Sequence, residues 1–133
     1  MYMLDTDTCS YILKAKPPSV GRRLRKHAVE VIAISAIVHA ELLYGAVTHP
    51  SGGADLQRLI TAFVSRLRII PWSGAMEHAR LRATLERAGT PIGNMDLLIA
   101  AHALAENAIL VTNNVRHFGR VEGLRTENWA SGH

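Results

Sequence analysis

The sequence predicts an α/β fold, a three-layer α/β/α sandwich around a short parallel sheet. Three observations carry that expectation. Four short, almost entirely apolar runs are spaced along the chain, amphipathic helical segments separate them, and turn residues punctuate the joins. Strands that are apolar throughout, rather than alternating, are strands covered on both faces.

The first run, Tyr2 to Leu4, stops at Asp5, and the second, Val31 to Ile34, lies between Glu30 and Ser35. A third spans Leu67 to Ile70 and is closed by Pro71, and a fourth spans Ile109 to Thr112 and is closed by Asn113 and Asn114. Ser35 is a good N-cap for a helix through Gly45. Asp55 to Val64 places Leu56, Leu59, Ile60 and Phe63 at helical spacing. Ser73 opens a further helix that ends near Gly89. Asn94 caps another, with Leu97, Leu98, Ala101 and Leu104 or Ala105 as its apolar stripe. Pro17-Pro18, Pro50 to Gly53 and Thr90 to Gly93 read as turns.

One domain over residues 1–133 fits a chain with 48% hydrophobic residues. The single cysteine, Cys9, gives no disulfide framework and no zinc pattern, which fits a reducing, cytoplasmic setting. Met1 to Asp5 lacks the form of a secretory signal, and no apolar run reaches membrane length. The formal charge of +4 is compatible with a polyanionic partner. Lys14, Lys16, Arg22, Arg23, Arg25 and Lys26 share a stretch without an acid, and Arg58, Arg66, Arg68, Arg80, Arg82 and Arg87 form a second basic region. Solvated helix surface explains such residues as well as phosphate contacts do.

In a parallel sandwich, the carboxyl ends of the strands and the N-termini of the helices that lead back to them share one edge, where ligands bind. Asp5 follows the first strand. Glu41 lies less than two turns into the helix after the second, at i+4 from Ile37, facing inward or at the boundary. Asp96 lies in the first turn of the helix leading to the fourth strand, which Asn113 and Asn114 follow. Carboxylates brought together repel one another, and a hard divalent cation is the usual way to keep them ionised. The all-oxygen set points to Mg²⁺, with Mn²⁺ as an alternative, and to hydrolysis by activated water. Of the eleven acids, only seven remain beyond Asp5, Asp7, Glu41 and Asp96, against fifteen Lys plus Arg. An acidic pocket in a basic body suits a nuclease. Each acid also has a structural reading: Asp5 as an Asx turn, Glu41 as an outward or arginine-paired side chain, Asp96 as a helix-dipole partner. His39, His78 and His102 read as structural histidines, Trp72, Trp129, Phe63 and Phe118 as packing, and Met76 and Met95 likewise.

Met3 to Asp7, Ser35 to Gly45, Ile92 to Ala103, and Leu110 to Asn114 with His117-Phe118 together resemble the PIN-domain ribonucleases, and within them the VapC toxins, in the correct order from Met3 to about Trp129. The resemblance implies a toxin–antitoxin endoribonuclease that uses Mg²⁺ to cleave structured RNA, tRNA or rRNA, and so inhibits translation. It also implies a VapB-like antitoxin and a homodimer. Carried over by position, Asp5 and Asp96 become the main metal ligands, and Glu41 completes the set and positions or deprotonates the attacking water. Many relatives carry an acid after the last main strand, where this chain has Asn114, with His117 just beyond. Asp7 stands where relatives often have Asn or Ser, and its carboxylate returns some charge. Thr112 at the strand end could hydrogen-bond a ligand carboxylate, or simply be a β-former. The antitoxin is expected to insert an apolar helix at the acidic edge.

Two rival readings are a haloacid-dehalogenase-like phosphatase, from Asp5-Thr6-Asp7-Thr8, and a catalytically inactive RNA-binding PIN module. The phosphatase reading lacks its downstream lysine and late acidic pair, since the last lysine is Lys26 and Leu97 follows Asp96.

Overall fold

The computed structural model describes residues 1–131 as an α/β/α sandwich. Its sheet has five parallel strands in the order β3-β2-β1-β4-β5: β1 Tyr2–Leu4, β2 Ile32–Ser35, β3 Arg68–Ile70, β4 Ile109–Val111 and β5 Thr126–Glu127. Around it run α1 Thr6–Lys14, α2 Pro18–Arg25, α3 Ala36–Val47, α4 Ala54–Val64, α5 Ala75–Arg87, α6 Asn94–Ala105 and the single turn α7 Val115–Phe118.

The four expected strands form, each trimmed or shifted by a residue at most. Val31 belongs to a 3₁₀ turn, Leu67 precedes β3, and Thr112 lies just past β4. β1 sits at the centre with β2 on one side and β4 on the other, Tyr2 pairing with both Ile32 and Ile109. Burial on both faces explains the unbroken apolar runs: Met3, Leu4, Ile32, Ile34, Leu110 and Val111 are all core.

Helix boundaries depart from expectation where glycine caps. Gly74 rather than Ser73 precedes α5, and Gly93 rather than Asn94 precedes α6. α6 is buried nearly all round, Leu97, Ile99 and the run Ala100 to Ala103 being inside, so a single stripe understates its contacts. α1 and α2 were not among the expected helices, although both are amphipathic. The signals are Asp5, whose side chain caps α1 by accepting from the Thr8 N–H, and Pro18, which opens α2 rather than completing a turn. β5, only two residues long, was likewise beyond the reach of pattern. Met76 and Met95 are 58% and 47% exposed, against their expected place in the packing. Trp129 and Phe118 are buried as expected. Among the described residues no helix is long and apolar enough to cross a membrane.

Candidate active site

The carboxyl edge of the sheet assembles from its centre outward. The chain turns from β1 into α1 without a loop, so Asp5 is at once the end of the strand ladder and the helix cap. Its N–H donates to Val111 O at 3.0 Å, and its Oδ1 accepts from the Thr8 N–H at 2.8 Å. The Thr8 hydroxyl donates to Val111 O at 3.0 Å, pinning α1 to β4. Burial pushes the Asp5 carboxyl above the ordinary carboxylate range. The hydroxyl of Thr112 and the groups of Thr8 pull it partly back, and nearby Asp7 pushes it up again.

Asp96, half-buried in the first turn of α6, is shifted the same way. Burial raises its carboxyl, His117 opposes the rise, and Asp7 adds to it. Asp7 thus acts on both Asp5 and Asp96, which puts the three carboxylates at one edge. His117 Nε2 stands 3.3 Å from Asp96 Oδ2. That nitrogen is shielded from solvent and makes no aligned hydrogen bond.

Glu41, on α3, reaches the same edge from its flank. The Thr6 hydroxyl donates to Glu41 Oε1 at 2.5 Å, so the residue between Asp5 and Asp7 holds the third acid. Glu41 also lines a groove of about 530 Å³ between α1, α3 and α4, with Leu13, Leu42, Leu56, Leu59 and Ile60 as its apolar wall and Lys14 at hand.

Asp5, Glu41 and Asp96 do not close into a three-carboxylate cage: among the described residues no three His, Cys, Asp or Glu side chains are grouped to hold one ion. The physical reason is that like charges spread apart and Thr6 engages one oxygen of Glu41. The donor chemistry nevertheless fits a hard cation. Asp5 and Asp96 are both desolvated and both feel the charge of Asp7, and Mg²⁺ characteristically takes one or two protein carboxylates and keeps its waters.

The residues after β4 divide their tasks. Thr112, fully buried, donates toward Asp5 and accepts the Asn114 N–H at 2.9 Å. Asn114 precedes α7, and its exposed side chain makes no hydrogen bond among the described residues. The side chain turned toward the acids is His117, not Asn114. Thr6 is the residue that sequence reasoning missed. Its only signal was its position between two aspartates.

Basic residues separate into two groups. Arg58 pairs with Asp55, Arg82 with Glu86 and Arg23 with Glu127, so part of the basic surface is ordinary surface ion pairing. Lys14, in contrast, lies in the groove with Glu41.

Comparison with known proteins shows the family. A family model described as PIN domain matches residues 2–124. Ribonuclease VapC2 of Rickettsia felis is 46% identical over 132 residues, covering 97% of this chain and 98% of that one. The tRNA(fMet)-specific endonuclease VapC of Shigella flexneri is 40% identical, with coverage of 97% and 98%. Among solved structures, VapBC2 from Rickettsia felis bound to a promoter DNA fragment superposes with a TM-score of 0.88 at 44% identity, covering 96% of this chain and 98% of that chain. DNA-bound VapBC from Salmonella typhimurium gives 0.89 at 36% identity, with coverage of 96% and 97%.

Proposed function

This chain belongs to the PIN-domain family and, within it, to the VapC ribonucleases, and from that premise we propose that it is a Mg²⁺-dependent endoribonuclease, the toxin of a toxin–antitoxin pair. Its substrate is structured RNA, tRNA or rRNA, and its cleavage stops translation in the cytoplasm. The observation that carries the reading is that Asp7 acts on both Asp5 and Asp96 at the carboxyl edge, while Thr6 between Asp5 and Asp7 bonds to Glu41. PIN-domain membership displaces the phosphatase alternative.

A divalent cation at the acids supplies positive charge against the phosphodiester and acidifies water. Asp5 and Asp96 would hold it. Their desolvation makes the ionised forms less stable than in water, and the positive charge of a cation offsets that. Glu41, with Oε1 fixed by Thr6, keeps its second oxygen to orient a water and take its proton. Thr112 and the cap to Thr8 fix the Asp5 carboxyl in place. Lys14 offers a phosphate contact at the groove, which orients the strand without reading its sequence.

The apolar wall of that groove, with Glu41 at its margin, suits an amphipathic antitoxin helix carrying a basic side chain toward Glu41. The similar VapBC structures support a VapB-like partner. Tyr44 and Val47, 70% and 72% exposed, provide apolar surface for a homodimer or antitoxin contact. The relative named for tRNA(fMet) favours tRNA over rRNA as the first substrate to try.

The test is cleavage of total RNA and of purified tRNA by the chain freed of antitoxin. Asp5→Ala, Glu41→Ala and Asp96→Ala are each expected to lower the rate by a factor of at least about 100 with circular dichroism unchanged. Full activity in Asp96→Ala, or RNA binding without Mg²⁺-dependent cleavage in the wild type, would overturn the reading. The latter outcome marks an inactive binding module.

A further inference from the structure

We propose that Tyr11 is a substrate-binding residue, its phenolic O–H donating to a phosphate oxygen of the RNA backbone beside the scissile bond. The inference rests on the nuclease reading and deepens it.

Three side chains from three parts of the fold form a directed row of hydrogen bonds. Asn128 Oδ1 accepts the Ala130 N–H at 2.8 Å, and because a backbone N–H can only donate, the amide of Asn128 has one orientation. Its Nδ2 therefore donates to Asn113 Oδ1 at 3.2 Å, and Asn113 Nδ2 donates in turn to the Tyr11 hydroxyl oxygen at 3.2 Å. The phenol stands at the accepting end of the row, and its own proton has no acceptor among the described residues. Each side-chain oxygen of the row already accepts a bond. What the row has left to offer is protons: the Tyr11 O–H and the second N–H of each amide. Base edges mix donors with acceptors, whereas phosphate oxygens only accept, and tyrosine is among the side chains that bond to them.

The row stands at the edge that carries the acids. Asn113 is the second residue beyond β4 and Asn128 the first beyond β5. Tyr11 lies four residues after Asp7, on the same face of α1, and Asp7 acts on both Asp5 and Asp96. Helical side chains lean toward the N-terminus, and the bond to Asn113 shows that the phenol reaches the strand ends. The bond from the Thr8 hydroxyl to Val111 O fixes α1 there. Tyr11 is half-buried while Asp7 and Asn113 are exposed, so RNA has access. Charge explains the residue type. A phosphodiester must approach Asp5, Asp7 and Asp96, and a lysine or arginine at this position would be drawn to those acids. A phenol gives its proton to the phosphate and stays neutral.

The experiment uses the full chain freed of antitoxin, with Mg²⁺, first on purified tRNA and then on a short RNA oligonucleotide spanning the mapped cut. Tyr11→Phe keeps the ring and loses only the donor. Its KM should rise about tenfold with kcat within about twofold, since a contact away from the reacting bond serves ground and transition states alike. Methylphosphonate is then placed at one linkage at a time around the cut. At one neighbouring linkage it should raise the wild-type KM about tenfold, and that of Tyr11→Phe by less than about threefold, because the two changes remove the same bond. A KM of Tyr11→Phe within about twofold of wild type, or a fall in kcat at constant KM, overturns the role of Tyr11 and leaves the nuclease reading standing. So does a wild type indifferent to methylphosphonate at every neighbouring linkage, a result that needs no variant to fold. A wild type that cleaves no RNA overturns both.

Discussion

His102 Nδ1 and Ser35 Oγ share a hydrogen bond of 2.8 Å, which ties the helix carrying Asp96 to the cap of the helix carrying Glu41. The same Ser35 oxygen accepts the Ile37 N–H at 3.1 Å. One hydroxyl therefore both starts α3 and fixes its distance from α6, and both residues are buried.

Ser35→Ala removes a cap and strands a buried imidazole nitrogen together. Loss of the cap costs about 1 kcal/mol, and the unpaired nitrogen adds about 1–2 kcal/mol. We expect urea denaturation to show a loss of about 2–3 kcal/mol. A loss below 0.5 kcal/mol, on the order of a surface change, would mean that the bond holds nothing.

His102 also carries a pH dependence. Burial lowers its pKa from 6.5, with Glu106 and the Pro71 carbonyl working against the shift. The folded chain then binds fewer protons at this ring than the unfolded chain does, so stability is fully present above pH 6.5 and falls as the pH drops through 6.5 toward the lowered folded value. Unfolding measured at pH 7.5 and 5.5 should show wild type losing more stability on acidification than His102→Gln. Equal losses would exclude the ring as the cause.

Thr6→Val deletes the hydroxyl that donates to Glu41 at 2.5 Å. If Glu41 orients water, its freedom should cost about tenfold in kcat, about 1.4 kcal/mol of barrier, with little change in KM. Thr6→Ser should restore most of the rate. An unchanged kcat in Thr6→Val would show that Glu41 needs no support.

Gly74 has φ of +111°, and a Cβ there would meet Ala101 O at 2.7 Å, against the middle of α6. Gly74→Ala should destabilise by about 2–4 kcal/mol, combining backbone strain with a displaced helix. Gly89, at φ of +71° with open space around it, is the control. Its alanine variant should cost only about 1 kcal/mol. Similar melting temperatures for the two variants would mean that α6 yields without penalty.

The sandwich and the edge that carries the candidate acids were legible because two-sided burial writes unbroken apolar runs such as Ile32 to Ile34 and Ile109 to Val111. Asp5 and Asp96 could be placed for the same reason, since topology alone puts a strand end and a helix start together. What the sequence hid was local or long-range. α1 begins on the strand's own last bond, so Asp5 reads as a turn while it is a cap. Thr6 meets Glu41 over a separation of 35 residues, and nothing in a short polar run announces such a partner. The turn that aims His117 rather than Asn114 at Asp96 depends on the Asn114 N–H bonding to Thr112, a three-dimensional detail with no period to detect.

The bond from Thr8 to Val111 spans 103 residues, and through it the edge that carries the candidate acids waits on the fourth strand. A nascent chain halted between Asp96 and Ile109 already carries Asp5, Asp7, Glu41 and Asp96, but β1 has one bare margin and Asp5 lacks its seat on β4. Fragments released by an interrupted ribosome would thus be blunt. The scissors are assembled only after almost all of their blades have been made, which delays harm until an antitoxin has had time to meet a finished molecule.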